Sequence, residues 1–204
     1  MDGVFMKKII RFSICILLAI MTIYLADVLQ DKQVLQENII RLHVVANSDI
    51  PADQTVKLQV KDAIVNYLQS ELLGYTEKEQ VTTYIGQNLS DLENLANYTL
   101  SALGVDKQAV VTFEKEIFDT RVYDTFSLPA GIYDSLRIII GDGQGKNWWC
   151  VVFPSLCLPA TGTDFQEAAT SAGFSENLGN SLRGGCNIRF FLLDCFGKIE
   201  KLFN

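Results

Sequence analysis

The spacing of apolar residues changes period between residues 56 and 117, and that change constrains the fold more than any other feature. Val56, Val60, Ala63, Ile64, Tyr67, Leu68 and Leu72 recur every three or four positions, as on one helix face, and Gly74 ends the run. A second stripe, Val81, Tyr84, Ile85, Leu89, Leu92, Leu95, Ala96 and Leu103, stops at Gly104. Thr76-Glu-Lys-Glu79 before it has the spacing of a capping box. From Ala109 the period is two, with Val111, Phe113 and Ile117 alternating with Thr112, Glu114 and Glu116. Helices followed by a run of strands predict an α+β domain, a mainly antiparallel sheet with two or three helices packed on one face.

Other strands are legible around this switch. Ile39–Val45 is apolar enough for a central strand. Ala46–Pro51 then turns the chain, with Ser48 or Asp49 placed to cap the next helix and Pro51 in its first turn. Leu136–Ile140 and Asn147–Phe153 flank Gly141-Asp-Gly-Gln-Gly145, which predicts a β-hairpin with a flexible tip. Residues 164–179 predict a short helix and 183–187 a glycine-rich turn. Asn187–Leu193 reads either as a last strand or as the start of a helix reaching Phe203.

Ahead of this body, Lys7, Lys8 and Arg11 precede fifteen uncharged residues, Phe12–Ala26. A basic flank followed by a short apolar run is the layout of an export signal. As a helix the run spans about 22 Å, short of the roughly 30 Å hydrocarbon core. Extended from Ile9 to Leu29 it reaches across, with Arg11 snorkelling. A cut after Ala26 puts Tyr24 where a small residue is preferred, so cleaved signal and uncleaved anchor both stay open. Residues 1–29 are therefore read as signal or anchor, and 30–204 as one extracytoplasmic domain outside the positively charged side of the membrane.

Charge and motif content narrow the chemistry. The chain carries 17 Lys+Arg against 24 Asp+Glu, a formal charge of −7, and the body alone is acidic too. It lacks the basic footprint of a nucleic-acid binder. Gly141–Gly145 is followed by strand formers rather than by the helix a phosphate loop needs. Leu158-Pro-Ala-Thr-Gly162 matches a sortase signal but lacks the membrane-spanning tail that such signals require. One His and no C-x-x-C pair speak against zinc, and no metal, cofactor or small-molecule substrate is expected. Cys150, Cys157, Cys186 and Cys195 can pair in an oxidising compartment, and Cys150 with Cys157 would bracket the Phe153-Pro154 turn. A loop that short contributes about 2.5 kcal/mol in the chain-entropy view.

Two groups of residues remain as candidate sites. His43, Asn47, Ser48 and Asp49 close one strand and exceed what a helix cap needs. Trp148 and Trp149 must face opposite ways on a strand, so that one ring enters the core and the other meets solvent or a partner. No catalytic residue is assigned. The enzyme alternative is a secreted cysteine hydrolase using His43 with Cys150 or Cys157.

Ile40-Arg-Leu-His-Val-Val-Ala-Asn-Ser-Asp49 and Leu128–Cys157, with its G-x-G-K-N-W-W-C block, together resemble the stage II sporulation protein R family of endospore-forming bacteria. The resemblance covers about residues 1–157. It implies a sporulation signal made in the forespore and exported across its membrane into the space facing the mother cell. There it would trigger a membrane-embedded aspartic protease to cleave the precursor of sigma-E. On that reading His43, Asn47, Ser48, Asp49, Trp148 and Trp149 lie on the partner-binding surface.

Overall fold

Six consecutive buried residues, Ile40–Val45, form β1, and their burial on both faces requires cover on both sides of a sheet. The computed structural model describes residues 3–123, 126–154, 170, 174–184 and 188–203. Helix α1 (Gly3–Asn38) leads into β1, and α2 (Pro51–Glu71), α3 (Lys78–Gln87) and α4 (Leu89–Ala102) follow. Next come β2 (Ala109–Phe118), β3 (Arg121–Val122), β4 (Ser127–Leu128), β5 (Gly131–Ile140) and β6 (Asn147–Phe153). Helices α5 (Glu176–Gly184) and α6 (Ile188–Phe203) complete the described chain. The class is α+β with an apolar N-terminal helix, as the sequence predicts.

The sheet runs β2-β5-β1-β6. β1 pairs with β5 in parallel and with β6 antiparallel, and β2 pairs with β5 antiparallel. The predicted β5–β6 hairpin is therefore absent: β1 lies between the two strands, and residues 141–146 arch over its end. Neighbours in sequence pair in most sheets, which is the rule behind the hairpin reading. Here the fully buried β1 takes the central place instead. β3 and β4 form a separate two-stranded ribbon joined at Arg121↔Leu128 and Val122↔Ser127.

Each sheet face has its own core. Ile40, Leu42 and Val44 of β1, with Leu136 and Ile138 of β5 and Cys150 of β6, pack against Val60, Ile64, Ile85, Leu92 and Leu100 of α2, α3 and α4. The expected long second helix is two, parted at Asn88, whose Nδ2 donates to the Tyr84 carbonyl. No capping box forms at its start. Glu77 is the N-cap residue, without a side-chain cap, and the Thr76 N–H donates to Gln80 Oε1 at 3.3 Å. On the opposite face Val28, Leu35 and Ile39 meet Phe118, Tyr133, Leu178, Leu182, Phe190 and Leu193. The helices thus cover both faces of the sheet rather than the one face expected, because α1 and the C-terminal helices supply a second layer.

α1 is long and apolar enough to cross a membrane. Its side chains from Phe5 to Tyr24 are exposed, and Val28 and Leu35 are fully buried in the body. α6 lies beside that buried half. Arg189 pairs with Asp27 at 2.8 Å and with Asp31, while Glu200 accepts from Lys32 and Gln36, each at 2.8 Å. Asp194 and Gly197 dock α6 on the sheet. The Asp194 carboxylate accepts the Ala130 N–H at 3.1 Å and the Thr120 hydroxyl. Gly197 rests on the Ala130 carbonyl, where any Cβ would overlap it. Of the two readings of residues 187–193, the helix is the one observed. Residues 164–169 and 171–173 of the predicted short helix, and 185–187 of the predicted turn, lie outside the described residues.

Candidate functional site

The two sequence motifs, about ninety residues apart, meet at the end of β1. Asn47 Nδ2 and Ser48 Oγ both donate to Asp53 Oδ2, at 2.7 and 2.6 Å. The Ser48 and Asn47 hydrogen bonds hold that carboxyl below its ordinary value. Asn47 Oδ1 accepts the Asp142 N–H at 3.0 Å, and Asp49 Oδ1 accepts the Lys146 N–H at 2.7 Å. The Gln144 and Gly145 N–H groups donate to the Asn47 and Ala46 carbonyls. Neither Ser48 nor Asp49 caps α2, whose N-cap is Ile50 with Pro51 at the first helical position. Asn47 and Asp49 instead tie the 141–146 arch to the strand end, and Ser48 bonds Asp53. The buried Lys57 ammonium adds bonds to the Lys146 carbonyl at 2.9 Å and to Gln54 Oε1 at 2.7 Å. Burial pushes its pKa down.

Glycine is required at three points of this arch, Gly143 having φ +62°. Gly141 has φ +57° and abuts the Asn47 carboxamide, and a Cβ on Gly145 would overlap the Ser48 carbonyl. On the α2 side Trp148 stays 39% exposed, with Lys61 Nζ 4.9 Å from its ring centre. Trp149 faces the other way, so the two rings do split across the sheet.

His43 does not belong to the strand end. It is 3% exposed on the second face, its ring stacked on Trp149 at 3.8 Å between centres and its Nδ1 2.7 Å from Glu116 Oε1. Ser135 Oγ donates to Glu116 Oε2 at 2.9 Å. Burial opposes the charged form of Glu116, but the bond and charge of His43, the Ser135 hydroxyl and the Arg137 charge outweigh it. The net effect holds its carboxyl below the ordinary value. Arg41, two residues before His43 and on the same face, is fully buried. Its guanidinium lies 3.9 Å from the Phe118 ring centre and 5.2 Å from that of Tyr133, and donates to Tyr123 Oη at 3.0 Å. Arg121 covers Trp149 at 4.8 Å.

This geometry separates the proposed hydrolase pair. In the β1–β6 register His43 faces Trp149, and Leu42 faces Cys150. Cys150 sits in the core on the α2 side, so the sheet stands between its sulfur and the imidazole. Cys150 is disulfide-bonded. Cys157, its expected partner, and Cys186 lie outside the described residues, and Cys195 is a free thiol. Ser135, Glu116 and His43 do not form a nucleophilic triad either. The serine and the imidazole both bond the carboxylate, whereas a triad places the imidazole between hydroxyl and carboxylate. Among the described residues no group of His, Cys, Asp and Glu could hold a metal ion.

Sequence reading missed Arg41, Glu116, Arg121 and Arg137. The available signal was Arg41 itself, a charge two residues from His43 inside an apolar strand.

The family described as Stage II sporulation protein R (spore_II_R) matches residues 36–162, from the end of α1 through both motifs. Stage II sporulation protein R of Bacillus subtilis (strain 168) is 35% identical over 124 residues, 61% of this chain and 55% of that relative. The chain thus aligns with about half the length of that curated relative. No solved structure matches. With the family match spanning more than half of the chain, the protein belongs to the stage II sporulation protein R family.

Proposed function

We propose that this protein is an exported intercellular signal of sporulation. On this reading it crosses the forespore membrane into the intermembrane space. There it activates the membrane-embedded aspartic protease that processes the sigma-E precursor in the mother cell. It acts as a protein ligand rather than as an enzyme. The observation that carries the reading is the joining of two distant family motifs into one framed surface at the end of β1. Asn47, Ser48 and Asp49 hold the frame, Trp148 stands exposed beside it, and Trp149 with His43 backs it from the second face. The apolar first half of α1 supports delivery through a membrane, and a Cys150–Cys157 disulfide suits the compartment.

The test is co-expression with the protease and the sigma precursor. The exported chain should produce precursor cleavage, and a chain lacking residues 1–29 should not. Cleavage by the leaderless cytoplasmic form would overturn export as the delivery step. No cleavage by the exported, folded chain would overturn the activating role.

A further inference from the structure

On the second sheet face, buried positive charge exceeds the acidic groups set against it. Arg41 has no exposed surface, yet its Nε and Nη1 find no hydrogen-bond partner. The same holds for His43 Nε2, Arg121 Nε and Arg137 Nε. These nitrogens occupy one patch, and the four guanidinium nitrogens among them are fixed donors. Arg137 lies opposite His43 in the β5–β1 register, and Trp149 lies opposite His43 in the β1–β6 register. Strands are about 4.8 Å apart, so the three residues form a row roughly 10 Å long. Arg41 sits one step along the same face, and Arg121 of the ribbon covers Trp149.

A guanidinium keeps its charge at every accessible pH, so Arg41 cannot shed the cost of burial by losing a proton. Among the described residues Glu116 is the carboxylate hydrogen-bonded within the patch, and His43 and Ser135 already occupy its two oxygens, while Glu114, two residues earlier on the same strand face, is exposed. Asp119 acts on Arg121 through charge, but its hydrogen bond goes to Lys201 at 2.8 Å. Among the described residues, three guanidiniums therefore face one engaged carboxylate and the exposed Glu114, in a protein whose net charge is −7.

We propose that this patch is a binding site for a carboxylate, supplied by an acidic side chain of a partner polypeptide. Arg41 forms the floor. Arg121, Arg137 and Trp149, each partly exposed, form the rim. Forked guanidinium donors match the planar, two-oxygen carboxylate, and the Phe118, Tyr133 and Trp149 rings supply apolar walls. Glu116 is the internal precedent, a carboxylate held on this face by the imidazole. The site stands on this geometry alone and does not depend on the signalling role.

The test uses the full chain in detergent, with sodium acetate, N-acetylglutamate amide and inorganic phosphate as probes at constant ionic strength against chloride. The two carboxylates should raise the unfolding midpoint saturably, by roughly 5–10 °C at a hundredfold excess over Kd. Phosphate should do no more than chloride. Arg41→Met should abolish the carboxylate shift and leave the ligand-free midpoint unchanged or higher, because an uncompensated buried charge has been removed. Arg137→Met, at the rim, supplies the same loss of shift should Arg41→Met fail to fold. Equal shifts with phosphate and acetate would overturn the carboxylate assignment. No shift with any probe, or full shifts in a folded Arg41→Met or in Arg137→Met, would overturn the site.

Discussion

Replacing Glu116 with alanine removes the carboxylate that holds β1, β5 and β2 together through His43 and Ser135. Hydrogen bonds to a charged acceptor contribute about 1.5–3 kcal/mol each. Both donors are then stranded, and the His43 side chain is only 4% exposed. Against this, the carboxylate's own burial cost disappears, and it is modest because 18% of that side chain reaches solvent. The balance is a loss of about 3–4 kcal/mol, near the low end for breaking a buried pair from one side. For a body of this size that lowers the midpoint by roughly 6–15 °C. Glu116→Gln keeps an acceptor oxygen and the shape, and should lose about half as much. The pH dependence has a fixed sign. The folded carboxyl is held below its ordinary 4.5, so its contribution is complete above that value. It is lost as pH falls through the lowered folded value. The gap between wild type and Glu116→Gln should therefore narrow under acid. Thermal unfolding of the full chain in detergent, from about pH 7 down to about pH 3, measures both quantities. An alanine cost below about 1 kcal/mol, or a gap that stays constant with acid, would refute the linkage.

Gly197→Ala should detach α6 from β5, since the new methyl would overlap the Ala130 carbonyl; faster proteolysis within residues 188–203, with α2–α4 still protected, reports it. Gly141→Ala places a side chain at φ +57° against Asn47 and should cost about 2–3 kcal/mol by denaturant unfolding. Trp148→Ala forfeits a cation–π contact of about 0.5–1 kcal/mol, so its midpoint should move little while precursor cleavage in cells falls. Unchanged cleavage would take Trp148 out of the contact surface.

The apolar spacing of α2, the alternation of β2 and the burial of β1 were all open to sequence reading, because local pattern and tertiary role agree there. The arch was not. Its glycines and flanking strands are those of a hairpin, and only the placement of β1 between β5 and β6 makes it a crossover. The Asn47–Asp49 cluster was visible as an excess of polar groups, but its use depends on main-chain donors of Asp142 and Lys146 that no spacing rule brings near. Residues 188–203 carry apolar side chains on more than one side, so their period does not separate helix from strand. Arg41 was hidden by its neighbours, since a strand rich in apolar residues draws attention away from the one charge that it buries.

The unbroken run of α1 has a mechanical consequence. A helix rises about 1.5 Å per residue, and the two residues between Ala26 and the buried Leu35 side that matter most, Asp27 and Asp31, are clamped by Arg189. No linker separates the apolar segment from the body, so with that segment set in a bilayer, as the proposed delivery requires, an intact helix would give the body a fixed stand-off and a fixed heading. A tilt of the apolar half becomes a swing of β1 and everything hung on it, with α6 as the brace. A cut after Ala26 would turn the same joint into a free helix end that opens on Asp27, a residue whose charge favours a helix N-terminus. One joint thus serves as a rigid stalk when whole and as a self-capping end when severed.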